Sequence, residues 1–105
     1  KVKDLDKAHL NALYTGVENN VEAIDSAIAT HLGDGWSLNR LTRIELSVLR
    51  CGAYEIHSML DIPVLAAVSE YAALSDVCGC DVAFVNAVLD QLARAARLVE
   101  MDKRR

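Results

Sequence analysis

Apolar residues recur in steps of three and four along the first third of the chain: Leu10, Leu13, Val17, Val21, Ile24, Ile28 and Leu32. On a helix of 3.6 residues per turn this spacing lays a single stripe along one face, whereas a half-buried strand would alternate at every second residue. A chain that opens this way needs other helices to cover the stripe. One proline and five glycines in 105 residues leave few breaks, and leucine and alanine are frequent, so long helices are favoured over short strands. The fold class is all-α, a bundle of about five helices forming one domain over residues 1–105, because a chain of this length supports a single core.

Local signals divide the chain. From Leu5 to Leu32, with Asp6 as N-cap, the stripe predicts one bent helix or two nearly collinear ones, since Gly16 and the pair Asn19-Asn20 are weak helix formers. The "GDG" at 33–35 ends it, and "SLNRL" makes a short helical turn. "TRIE" supplies a capping box, Thr42 with Glu45, opening a helix that runs to about Leu60, where "DIP" and Pro63 stop it. Val64 to Val77 reads as a mostly buried helix ended by "CGC"; Asp81 then caps a last helix reaching about Val99.

Several function classes are excluded or disfavoured. No run of about eighteen uncharged apolar residues is present, so no membrane span is expected, and a cytoplasmic location follows as the default. Cys51, Cys78 and Cys80 are an odd set without disulfide spacing and read as free thiols. Cys78-Gly79-Cys80 with His31 or His57 is tighter than zinc-ligand spacing, so no metal is assigned. Nothing pairs a cysteine nucleophile with a histidine, no phosphate loop or nucleophile elbow occurs, and the chain reads as a non-enzyme without cofactors. A net charge of −4 confines any RNA binding to a local patch.

Two faces are candidates. On the helix after Thr42, the residues Arg43, Ser47, Arg50, Tyr54 and His57 share one polar, partly aromatic side, which suits either RNA or water. On "DVAFVNAVLDQLARAAR", Val82, Phe84, Val85, Val88, Leu89 and Leu92 cover enough of the surface for a central helix. Asn86, Asp90, Arg94 and Arg97 form the remaining stripe.

The blocks "GWSLNRL", "VLRCGAYEI", "DIPVLAAVSEY" and "FVNAVLDQLAR" resemble, in order and spacing, the NusB family of bacterial transcription antitermination factors. The resemblance implies an all-helical fold of two packed subdomains and a non-enzymatic protein. Such a protein pairs with the ribosomal protein NusE, binds boxA RNA and helps the transcription elongation complex read through terminators in ribosomal RNA operons. It places Arg43 and Glu45 in the NusE-facing region, and Arg50, Phe84 and Asn86 at the RNA. From the residues alone Phe84 is core, and Arg50 can equally be an internal pair.

The chain departs from the family pattern at Leu46, Ser69 and Ala87, where arginine, asparagine and glycine are usual, and the loop "SDVCGCDVA" is short. The family's two leading helices, one arginine-rich, find no match here, so the chain reads as an N-terminally incomplete copy. Apolar surface at Leu10, Leu13, Val17 and Val21 is then expected to be exposed and to favour a homodimer. Two alternatives accompany this reading: the NusB-like RNA-binding domain of a ribosomal RNA cytosine methyltransferase, and a self-associating helical scaffold.

Overall fold

A computed structural model of the chain describes residues 3–33, 35–98 and 101. Five α-helices occur among them: α1 (Lys3–Asn19), α2 (Val21–Thr30), α3 (Arg43–Ser58), α4 (Val64–Val77) and α5 (Val82–Ala96), with a 3-10 turn at Leu38–Arg40. The all-α expectation holds. The first stripe resolves into two helices, because the Asn20 side-chain amide donates to the Gly16 carbonyl at 2.7 Å and its backbone N–H turns back to Val17. That local bonding competes with continuing the helical ladder. Asp6 is not a cap: α1 already begins at Lys3.

The other boundaries follow local chemistry. The Thr42 hydroxyl accepts from the Glu45 N–H, and Glu45 Oε1 accepts from the Thr42 N–H, both at 3.1 Å, so the expected capping box starts α3. At the end of α4, Gly79 takes φ +77°. Cys80 N–H then reaches Ser75 O at 2.8 Å and Gly79 N–H reaches Asp76 O at 3.1 Å, closing the helix by a Schellman motif. Asp81 Oδ1 accepts from Phe84 N–H and caps α5. That helix stops at Ala96, short of the expected Val99, which lies outside the described residues.

Helices α3, α4 and α5 pack on one another, and α1 and α2 lie against α3. Leu49, Ile56, Val64, Val85, Leu89 and Leu92 are fully buried between them. Burying each such side chain contributes about 1.5–3 kcal/mol. Gly52 permits the close α3–α5 approach: a Cβ there would lie 2.8 Å from Leu89 Cδ2. Gly16 does the same for α1 and α3, since a Cβ would meet the Tyr54 ring. Its place in the helix is thus explained by packing rather than by bending alone.

Three expectations are corrected. Helix α4 is not mostly buried: Val64, Ala67, Val68, Tyr71 and Ser75 face the core, while Leu65, Leu74 and Val77 are exposed. On α1 and α2 Leu13 is buried and Val17 and Val21 are half-buried, so the large apolar side chains exposed among the described residues of this region are Leu10 and Tyr14. Arg97 leaves the polar stripe of α5 altogether. It is buried, and its guanidinium donates to the carbonyls of Ile56 and Ile62 at the end of α3 and in the following turn, and also to those of Glu55 and Met59, which already accept from the N–H groups of Met59 and Ile62.

Candidate nucleic-acid interface

One end of the molecule gathers the segment before α3, the start of α3 and the α4–α5 turn. Gly35 adopts φ +82°, a conformation that suits glycine, and turns the chain into Trp36. Leu38 and Leu41 pack on the core and anchor the segment. The Trp36 ring lies against Phe84 with centroids 5.5 Å apart and planes tilted by 36°. Arg40 Cζ sits over the same indole, 5.2 Å from its centroid, while Nη1 donates to Gly35 O at 2.7 Å. Trp36 remains 48% exposed. Phe84 itself is half-buried, with part of its ring on the core, so it is neither wholly core nor wholly surface.

The remaining candidates are distributed around this end and beyond it. Arg43 is exposed in the first turn of α3, three residues after Arg40. Glu45 is half-buried and committed to the capping box. Arg50 points elsewhere: its Nε and Nη2 donate to the two oxygens of Asp25 on α2, at 2.8 and 2.7 Å. The hydrogen bonds to Asp25 hold the Arg50 guanidinium pKa above its ordinary value, so it stays charged. Tyr54 turns inward over Gly16, leaving Arg43, Ser47 and His57 as the exposed part of the α3 face. Asn86 is exposed but lies about 200° around α5 from Phe84, on the far side of the helix. It shares its stripe with Asp90 and Arg94, which pair at 2.9 Å.

A second polar cluster escaped the sequence reading. Glu55, 3% exposed, receives the Tyr71 hydroxyl hydrogen bond and one from His9 Nε2 at 2.9 Å, tying α1, α3 and α4 together. Burial and the Glu55 carboxylate push the Tyr71 phenol well above its ordinary range. Burial, and then Glu55, raise the Cys51 thiol, which keeps it protonated and unreactive. Cys51, Cys78 and Cys80 are free. Among the described residues no three metal-binding side chains come together, and no helix is long and apolar enough to cross a membrane.

The order of helices and these motifs can be set beside known proteins. The NusB family model matches residues 1–94. The chain belongs to the NusB family. The transcription antitermination protein NusB of Clostridium novyi (strain NT) is 40% identical over 96 residues, covering 90% of this chain and 71% of its own length. That of Rhodopseudomonas palustris (strain BisB18) is 36% identical over 100 residues, covering 93% of this chain and 59% of its own. A solved structure of T. maritima NusB superposes with a TM-score of 0.82 at 30% identity, over 91% of this chain and 69% of that one. This chain therefore spans about three fifths to seven tenths of the length of these NusB proteins. NusB membership agrees with the expected all-helical, non-enzymatic protein.

Proposed function

We propose that the chain acts in transcription antitermination in the cytoplasm, binding boxA-type RNA together with NusE as part of a transcription elongation complex. The support is the family membership, the name its relatives carry, and one surface: the end of the molecule where half-buried Phe84 stands among exposed aromatic and cationic side chains. An acidic protein needs such a local site, because its overall field repels phosphate. Phe84 contributes a stacking face. Arg43 and Glu45, at the adjacent start of α3, serve the NusE side, with Glu45 acting chiefly by fixing the helix end. Arg50 contributes through its exposed edge while Asp25 sets its orientation, and Asn86 belongs to a separate contact on the far side of α5.

Titrating the full-length protein with boxA-type RNA, with and without NusE, tests the proposal. Binding of the RNA that tightens in the presence of NusE, and weakens steeply with salt, is expected. Absence of binding to either partner at moderate salt rejects it. Exposed Leu10 and Tyr14 on α1 favour a second reading, self-association through that face, which a light-scattering mass near that of a monomer would reject.

A further inference from the structure

Trp36 and Arg40 are not explained by the fold. A tryptophan needed only for packing is normally well covered, yet this indole keeps 48% of its surface in water while touching two partners. Arg40 is exposed, and a solvated arginine has no need of a fixed position; here the Gly35 carbonyl and the Trp36 ring hold its guanidinium in place. Holding a long side chain this way costs rotamer entropy without burying apolar core. The same end carries Phe84, so three π-surfaces stand in contact in the order Arg40, Trp36, Phe84.

We propose that Arg40, Trp36 and Phe84 form a preorganised platform for an unpaired RNA base, with the Trp36–Arg40 pair taking the base and the remaining guanidinium donors its phosphate or edge. This rests on the RNA reading above and adds residues to it. Aromatic rings and guanidinium planes are the surfaces on which unstacked RNA bases settle, and a positive charge among them favours the adjoining phosphate. A duplex offers no free base face, so the platform selects single strands. A protein hot spot uses the same residue types. The charge held beside the ring, in a protein of net charge −4, favours an anionic polymer over a neutral apolar anchor.

Trp36 is the sequence's only tryptophan and reports on its own site. The experiment uses a boxA-type single strand and its duplex, following labelled RNA by anisotropy and Trp36 by its emission. Expected outcomes are a change in Trp36 emission with the single strand only, and about a tenfold loss of single-strand affinity in Trp36→Ala, equivalent to about 1.4 kcal/mol of lost stacking. Trp36→Phe retains most of the affinity. Arg40→Gln loses less, and its binding depends less steeply on salt. Thermal melts establish that each variant is folded, and Arg40→Gln, with unchanged affinity and salt dependence as the overturning result, carries the test if the Ala variant is not. RNA binding with unchanged emission and undiminished affinity in Trp36→Ala overturns the platform while leaving the RNA reading intact. Equal losses for duplex and single strand overturn it too, as does weakened NusE binding with unaltered RNA binding. No binding by the unsubstituted protein removes both the platform and the reading beneath it.

Discussion

Arg97, beyond the last residue of α5, donates from Nε to the Ile56 carbonyl near the end of α3 at 2.8 Å. The same guanidinium reaches three further carbonyls, those of Glu55, Met59 and Ile62. The carbonyls of Glu55 and Met59 also accept backbone N–H groups, those of Met59 and Ile62, whereas the carbonyls of Ile56 and Ile62, at the helix end and in the turn after it, rely on the guanidinium. One planar group with five donors reaches all four, and its positive charge lies at the negative end of the α3 dipole.

Arg97→Ala is expected to destabilise the protein by about 3 kcal/mol, since the carbonyls of Ile56 and Ile62 lose a charged donor at once. Arg97→Lys should recover little, because an ammonium cannot span the same set of acceptors. Chemical denaturation of both variants checks this. A cost below about 1 kcal/mol, the usual range for a surface substitution, would show that the carbonyls find other donors.

Tyr71 should make stability fall at high pH. Its phenol is raised in the folded protein, by burial first and by Glu55 second. The stabilisation linked to its proton is therefore fully present below the unfolded value of about 10 and is lost as pH rises beyond it. Urea melts from neutral to alkaline pH should show this decline, with a shallower one in Tyr71→Phe. Tyr71→Phe should also cost about 1.5–3 kcal/mol near neutrality, the range for a hydrogen bond to a charged group. An identical alkaline slope in the variant would exclude Tyr71 as its source.

Gly52→Ala reverses the usual rule for helices. Alanine is ordinarily better by about 0.8–1 kcal/mol in a helix interior. Here the new Cβ would fall 2.8 Å from Leu89 Cδ2 and 3.4 Å from Tyr71 Cγ, and Leu89 is wholly buried, so its side chain must shift within the core. A net loss of about 1–3 kcal/mol is expected, as for other overpacked cores. A gain in melting temperature would show that α3 and α5 can separate.

These residues mark what the sequence alone can disclose. The capping box at Thr42, the stop at Gly79 and the core positions Val85, Leu89 and Leu92 are local or periodic signals, and they appear where expected. Arg97 fits the exposed stripe by spacing, yet carbonyls more than thirty residues away decide its position. Glu55 is similar: a carboxylate within an apolar helix gains its partners His9 and Tyr71 only when three helices meet. Trp36 and Arg40 sit four apart beside a glycine, a hint of a helical-turn contact, but Phe84 joins them only through the fold. Periodicity reports which residues share a face; it does not report which face a distant segment will cover.

Arg50 and Asp25 offer a direct measure of pairing across α2 and α3. Their side chains are 31% and 23% exposed, so water still screens the bidentate contact. A double-mutant cycle with alanine should give a coupling of about 0.5–1.5 kcal/mol, above the median for surface pairs because of the fork geometry. The coupling should shrink in high salt. Zero coupling would leave Arg50 free to act wholly on a ligand.

Phe84→Ala separates packing from recognition at the candidate interface. Truncating a fully buried phenylalanine costs about 3–5 kcal/mol. This ring is half-buried and rests partly on Trp36, itself half in water, so about 1–2 kcal/mol is expected instead. The Asp81 cap is kept, because Asp81 accepts from the backbone N–H of residue 84 and not from its side chain. The helix end should therefore survive, and the folded variant can be titrated with boxA-type RNA. Loss of a stacking face predicts affinity weaker by roughly 1–3 kcal/mol, with part of the loss transmitted through a loosened Trp36. Asn86→Ala, on the far side of α5, serves as the comparison, with stability nearly unchanged. If Phe84→Ala is folded and binds RNA as before, the ring is a packing residue only, and any RNA contact at this end falls to Trp36 and Arg40.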